Sequence, residues 1–575
     1  MTKPQKKSIQ NTVSLSSYHK LNRYLELKKS RLFWLILLIG VFLSFMNFNA
    51  RISEAHDDSL YIEAGYRYIH EFPNFYYTSN APMYPMFLAL LTLLFGTNLI
   101  AFKLFSMIFF IIGAILYYKA LDKKVPEILK YLVFGFICTN HMILYYSSQT
   151  FSEAFYMLVQ ATFFYYFCKY NFGENPITTD IKIDLKKWLV LGLLMMILTL
   201  AKNILIFGII AIVLFYVLRK EYKKSIFALV SFGIFKLLYE LVKNRVWGAS
   251  AIQYKSQMGI LLNKDPYDAA KGQEDIAGFI GRFTDNIGLY LGKRFYQILG
   301  FMDENYTGVK YTEVNGELVG ETSKSIYFLA FIVLFFVLYG LYRAIKDKQH
   351  LITFLILFAG TVSFGTFLLL QARWDQPRFI MVHMPALLLG IGYGLYRFFD
   401  KSNFNQRVFV LILLVLFSSL LISSTKRGFK NVPIVSKNLK GDIYYGYTPD
   451  WKNYLEMSAY CADSLPKSSL VACRKAPMSF VYGKGKHFYP IYNVIAKDAK
   501  TGQSNPDSAL AIFQRNKVTH LLIASLRMDP SKSSGDIINT IHNIAAPIVQ
   551  KYPQKLVLVK QIGDSEPAYL YEIKY

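Results

Sequence analysis

Two adjacent carboxylates, Asp57 and Asp58, follow the first strongly apolar run of this 575-residue chain, within the stretch from Arg51 to Pro85. Ionisable groups so close to hydrocarbon are costly, which points to a chemical role such as accepting a proton. The competing reading is that the pair only ends the preceding helix at the water interface. Similar groups recur further on: Gln149 and Glu153, Lys202 within Thr199-Leu200-Ala201-Lys202-Asn203, and Arg373, Asp375 and Arg378 within Gln371-Ala372-Arg373-Trp374-Asp375-Gln376-Pro377-Arg378-Phe379. Taken singly, snorkelling to headgroups or helix capping explains each of them. Gathered at one membrane face, they would make a site of acids and bases suited to an anionic, lipid-held substrate.

Whether they share a face depends on the elements that carry them. With 53% hydrophobic and 17% aromatic residues, the chain is too apolar for one soluble core and reads as a polytopic α-helical membrane protein. The formal net charge of +26 does not indicate nucleic acid, because the basic residues sit in short clusters between apolar runs, where they set orientation. Residues 1–31 are polar and basic and end in Lys28, Lys29 and Arg31, with no small-residue cleavage site after the apolar run 32–48. This predicts an uncleaved first span with a cytoplasmic N-terminus. Residues 83–95 are apolar but short and proline-flanked, as in an interfacial helix.

Further spans are predicted at 99–118, 128–144, 151–168, two short ones within 188–218, then 226–242, 325–342, 351–370, 379–396 and 408–423, about eleven in all. The short loops assigned to the inside are rich in Lys and Arg. An odd count leaves residues 425–575 outside, beyond a transmembrane domain at 32–424 with outer loops 50–97 and 243–324. On this topology every polar group named above faces the extracytoplasmic side. The outer segment carrying Tyr254, Asp285, Arg294 and Tyr306 is read either as an acceptor lid or as packing under the outer domain.

Residues 425–575 have soluble composition, with helices predicted at 452–465, 508–516 and 537–551, strands at 469–473 and 519–524, and a hairpin at 555–562 and 568–573. That alternation implies a small α/β domain. Cys138 and Cys168 fall in membrane helices as packing residues, whereas Cys461 and Cys473 lie where an oxidising compartment permits either a disulfide or two thiols. No CxxC pair, HExxH or glycine-rich phosphate loop occurs, so zinc, dithiol and ATP-driven chemistry have no sequence support.

Asp57-Asp58-Ser59-Leu60-Tyr61 is followed by Ala64, Pro82-Met83-Tyr84-Pro85 and Leu94-Phe95-Gly96, then by Tyr145-Tyr146-Ser147 with Glu153, Leu200-Ala201-Lys202, and Arg378-Phe379 with Pro385. In this order the membrane part resembles the polyprenyl-phosphate-dependent glycosyltransferases of the GT-C class, especially the protein O-mannosyltransferase and lipid A aminoarabinose transferase branch. The resemblance implies Asp57 as catalytic aspartate and Asp58 as its neighbouring acid, with the register open by one residue. It implies substrate contacts at Tyr61, Glu153, Lys202 and Arg378. Where some relatives hold the lipid phosphate with a basic residue this chain has Ser79-Asn80-Ala81, so Lys202, Arg373 or Arg378 is expected to take that contact. A divalent cation held by His56, Asp57 and Asp58 is an open alternative.

The expected activity is inverting transfer of a sugar from a polyprenyl-phosphate donor to a lipid, protein or polysaccharide acceptor outside a bacterial plasma membrane. An oligosaccharyltransferase or ligase would share the enzyme class. A lipid-linked saccharide flippase or transporter is the alternative of different class, and it should instead show paired repeats and polar groups at mid-bilayer. A non-catalytic envelope scaffold or receptor is a third reading.

Overall fold

The computed structural model describes residues 16–54, 57–251, 257–266, 271–303, 306–314, 317–371, 374–498, 501–527, 537–538 and 540–575. Among the described residues six helices are long and apolar enough to cross a membrane: Lys29–Met46, Leu99–Leu121, Tyr222–Ala251, Lys324–Lys346, His350–Leu369 and Asn403–Leu439. The predicted span at 128–144 is instead a pair, Glu127–Thr139 and His141–Ser147, bent by 55°. Asn140 makes the bend: its side-chain oxygen caps the amides of Met142 and Ile143 while its Nδ2 donates to the Ile298 carbonyl at 2.6 Å. Counted as one crossing, the pair brings the total to seven.

Other helices of the bundle fall short by length or polarity. Ile181–Ala201 carries Lys182, Asp184, Lys186 and Lys187 near its start, and Ser152–Phe172 buries Glu153, Gln160 and Asn171 among its neighbours. The interruption predicted in 188–218 is present at Lys202, whose backbone turns extended (φ −150°, ψ 124°) between Ile181–Ala201 and the short turn Asn203–Leu205 that leads into Ile206–Leu218. The span predicted at 379–396 is split, with a short helix Arg378–Met381 preceding Met384–Phe398, because Pro385 sits in the first turn of the second helix.

The helix Asp57–His70 directly follows the first span. Its acids lie in the first turn and Arg67 and His70 in the last, matching the helix dipole at both ends. Its buried face (Asp58, Tyr61, Ile62, Gly65, Tyr68) lies on the interfacial helix Met83–Phe95, and the approach is close: a Cβ at Gly65 would come within 2.9 Å of the Leu88 Cβ. The outer segment is anchored through the helix Ile276–Asn286, which continues as a π-helical stretch Ile287–Arg294 packed on Lys324–Lys346. Asn286 Nδ2 donates to the carbonyls of Phe367 and Leu370 at 2.9 and 2.8 Å, and Tyr290 stacks on Phe367. The π-helical stretch ends in Lys293 and Arg294, which both pair with Asp375. Tyr254 lies outside the described residues.

The helix Asn403–Leu439 runs unbroken through position 425 into the C-terminal domain, so no flexible linker separates the two parts. Numbering strands in chain order, the outer segment carries an antiparallel hairpin, β1 (Val309–Val314) and β2 (Glu317–Thr322). The C-terminal domain holds β3 (Leu470–Cys473), β4 (Phe488–Pro490), β5 (Val518–Ile523), β6 (Leu556–Ile562) and β7 (Ala568–Ile573). Its sheet has the order β4-β3-β5-β7-β6, with β4, β3 and β5 parallel and β7 and β6 antiparallel. β4 and the preceding helix Ala476–Tyr482 were not predicted; both are too short to carry a period. Cys461 and Cys473 are buried free thiols, with the Cys473 thiol 3.6 Å from the Ser479 hydroxyl.

Candidate functional site

Five of the predicted residues meet at one end of the bundle, brought there by four separate parts of the chain. Asp57 opens its helix, and its Oδ2 accepts from Arg378 Nη2 at 2.5 Å. The Arg378 guanidinium lies over the rings of Phe151 and Phe379, 5.0 and 5.1 Å from their centroids. Burial opposes its charge, but Asp57 and Glu153 hold Arg378 more firmly protonated than an ordinary arginine. Glu153 Oε1 in turn accepts from Lys202 Nζ at 2.8 Å, and its second oxygen is buried with no hydrogen-bond partner among the described residues. Tyr61 sits inside this group, within the field of both Asp57 and Glu153. A small void of about 10 Å³ lies beside it, lined by Tyr146, Ser147, Glu153, Met157 and Met381.

The two adjacent aspartates have different environments. The Asp57 side chain is 30% exposed, whereas Asp58 is 0% exposed. Both Asp58 oxygens are occupied: Oδ2 accepts from the Ser53 amide at 2.7 Å and Oδ1 from the Ser59 amide at 2.9 Å. Burial pushes the Asp58 carboxyl up to about 6 from an ordinary 3.8, against the pull of the Lys103 charge and the two amides. Linkage fixes the sign: between pH 3.8 and 6 the folded chain holds the Asp58 proton more tightly than the unfolded chain does, so stability falls as pH rises through that window. Thermal unfolding in detergent should show this decline in wild type and a flatter profile in Asp58→Asn; identical profiles would contradict the assignment.

Not every predicted residue joins the group. Asp375 is turned toward the outer segment, where Lys293 Nζ and Arg294 Nε both reach it at 2.5 Å, so it does not pair with Arg378. Arg373 and His56 lie outside the described residues. Asn80, at the place where the resemblance led one to look for a basic residue, accepts from Gln257 Nε2 at 2.9 Å and donates to the Tyr77 hydroxyl. Among the described residues no three His, Cys, Asp or Glu side chains gather as metal ligands.

Two residues beside the candidate site escaped the sequence reading. Lys103 is fully buried in Leu99–Leu121, donates to Gln149 Oε1 at 3.0 Å, and is the cation facing Asp58. Its signal was legible, since a lysine inside an apolar run is a functional flag by default. Lys475 of the C-terminal domain reaches the stretch between the first span and Asp57–His70, donating from Nζ to the Glu54 carbonyl at 2.8 Å. Burial and neighbouring Arg474 bring Lys475 down to about 8, while Asp57 and Glu54 pull the other way. Nothing in the sequence distinguishes it from the other lysines of a soluble domain.

An accessible carboxylate held by a buried guanidinium, with a second acid–base pair beside it, can accept a proton and stabilise an anion at one spot. The comparisons give the fold that carries it. The chain shares its fold with solved structures of an archaeal oligosaccharyltransferase. It is similar to an archaeal oligosaccharyltransferase, AglB from Archaeoglobus fulgidus, solved in complex with an inhibitory peptide and a dolichol-phosphate (TM-score 0.55, 13% identity, 94% of this chain and 74% of that one). A second structure of the Archaeoglobus fulgidus oligosaccharyltransferase, tethered to an acceptor peptide containing the NVT sequon, gives a TM-score of 0.54 at 14% identity, covering 95% of this chain and 74% of that one. A third, with zinc and sulfate, gives 0.54 at 13% identity over 85% of this chain and 68% of that one. No family model and no curated protein matches the chain.

Proposed function

We propose that this protein is an integral-membrane, inverting glycosyltransferase that moves a sugar from a polyprenyl-phosphate donor to an acceptor hydroxyl or amine at the extracytoplasmic face, with Asp57 as general base. The observation that carries the reading is the Asp57–Arg378 pair, which sets a partly exposed carboxylate beside a buried cation at one end of the bundle. In the reaction, the acceptor proton passes to the Asp57 carboxylate as the acceptor oxygen or nitrogen bonds to the anomeric carbon. The bond from that carbon to the phosphate oxygen breaks, and its electron pair leaves with the phosphate. Arg378 and Lys202 stabilise the leaving charge, with Arg373 a further contact. Glu153 keeps Lys202 in place, and Tyr61 lines the sugar. Direct displacement inverts the anomeric centre.

The topology is part of the proposal: about eleven helices cross a bacterial plasma membrane, the N-terminus is cytoplasmic, and residues 425–575 lie outside. The donor reaches the site within the bilayer. Membership of the O-mannosyltransferase and aminoarabinose transferase branch stays within this reading; a divalent cation on His56, Asp57 and Asp58 is an alternative to it, which loss of transfer after exhaustive chelation would support. A second reading, transfer of a lipid-linked oligosaccharide to a peptide, is favoured by the neighbours solved with dolichol-phosphate and acceptor peptide.

Both readings are tested by reconstituting wild-type protein with radiolabelled polyprenyl-phosphate monosaccharides and polyprenyl-diphosphate oligosaccharides, each with lipid, peptide and polysaccharide acceptors. Transfer from a monophosphate donor with an inverted product supports the first, and transfer only from a diphosphate oligosaccharide supports the second. No transfer and no donor hydrolysis across the panel sinks both and turns attention to translocation of lipid-linked saccharides.

A further inference from the structure

The C-terminal domain does more than pack against the membrane part. We propose that it positions the carboxylate-bearing loop, with Tyr447 and Lys475 as positioning residues that hold the backbone immediately ahead of Asp57. This deepens the reading above and rests on it for its catalytic consequence.

Residues 52–54 are bonded from two sides. The Tyr447 hydroxyl donates to the Ile52 carbonyl at 2.5 Å, and Lys475 Nζ donates to the Glu54 carbonyl at 2.8 Å. Between them, the Ser53 amide donates to Asp58 Oδ2 at 2.7 Å. Two carbonyls are therefore taken by the C-terminal domain, and the intervening amide by the helix that bears Asp57. Bonds to the peptide groups themselves restrict how far this stretch can shift, more than side-chain packing would.

The two donors are themselves anchored. The Lys475 amide donates to the Tyr454 hydroxyl at 3.1 Å, and its ammonium lies over Trp451, 5.4 Å from the ring centroid. Tyr454 and Trp451 belong to the core of the domain, so Lys475 leaves a fixed base. The Tyr447 hydroxyl lies 3.0 Å from that of Tyr482, and Arg51 lies over the Tyr447 ring at 4.8 Å. Residue 446 is glycine in a left-handed backbone (φ +94°), and a Cβ there would come within 2.8 Å of Ile434 Cγ2 and 3.0 Å of Arg51 Nη1. The helix Ala476–Tyr482 continues the contact along Asp57–His70, with Phe480 edge-on to Tyr66 and His487 3.9 Å from Glu63.

A cap that merely shields the site predicts something different. It would be held by the Tyr66–Phe480 face, and loss of the two carbonyl bonds would leave the loop unchanged. A positioning domain predicts that the loop loosens while the domain stays folded.

The experiment uses full-length protein in nanodiscs and compares wild type with Lys475→Met, Lys475→Arg and Tyr447→Phe. Hydrogen exchange is read at the amides around residues 51–54 and, as a control, across β3, β5 and β7. Exchange at the loop should rise several-fold in Lys475→Met and Tyr447→Phe, with the sheet unchanged, and Lys475→Arg should restore protection because it keeps a donor. In the transfer assay, kcat should fall about 10- to 100-fold with little change in donor KM, the signature of a misplaced base. If Lys475→Met also speeds exchange in the sheet, Tyr447→Phe decides alone, since it removes one oxygen and leaves the ring in place. Unchanged loop exchange in that variant overturns the proposal. Should wild type transfer nothing from any donor, faster loop exchange still upholds the clamp, and only the catalytic reading falls.

Discussion

Asp57→Asn is expected to lower transfer by roughly 10²–10⁴-fold, the range typical of losing a general base. The substitution keeps size and leaves an oxygen to accept from Arg378, so donor binding and unfolding temperature should stay near wild type. Asp58→Asn makes a different case. Both Asp58 oxygens accept backbone amides, from Ser53 and Ser59, and an asparagine would turn an NH2 group against one of those donors. Its effect therefore passes through loop geometry and appears in stability as well as in rate. Measuring kcat, donor KM and unfolding temperature for both variants separates the roles. A selective loss of kcat in Asp58→Asn, with Asp57→Asn at full turnover, would move the base by one residue and discard the assignment made here.

The aspartates show what sequence could and could not supply. Their position after an apolar run marked them as chemical, because charge near hydrocarbon needs a reason. Their difference was not legible. Which of two neighbours is buried depends on the face of Asp57–His70 that lies on Met83–Phe95, and on an amide donor that arrives from Ser53. The helices themselves were readable wherever apolar runs are long, and the break at Lys202 was visible in Leu200-Ala201-Lys202-Asn203. The bend at Asn140 was not, since one capping asparagine inside an apolar run is too small a signal to split a span.

Pairings across hundreds of residues lie beyond any local pattern. Arg378 could be placed on the outer side, but its bond to Asp57 spans 321 positions, and Asp375, only three residues earlier, is claimed by Lys293 and Arg294. The same holds for Lys475, whose bond to Glu54 spans 421 positions. The C-terminal domain was recognisable as α/β from alternating periods, whereas its grip on the stretch between the first span and Asp57–His70 is a property of the assembled fold.

Arg378→Ala should be the second most damaging change, lowering transfer by about 10²–10³-fold, as loss of a preorganised charge stabiliser does. The geometry explains why one arginine serves two groups. Of its five N–H donors, Nη2 engages Asp57, and Nε is buried with no hydrogen-bond partner among the described residues. Asp57 and Glu153 keep it charged in a buried place walled by Phe151 and Phe379. It can therefore fix the base with one arm and hold the departing phosphate with the others, so that proton transfer and charge separation share one anchor. Arg378→Lys keeps the charge but not the fork, and should recover donor binding better than kcat. Lys202→Met removes a cation paired to Glu153 but not to the base, and should act mainly on donor KM. Kinetics of the three variants over a donor series would check this order. Wild-type kcat in Arg378→Ala would refute the shared anchor and leave Lys202 and Arg373 as the phosphate contacts.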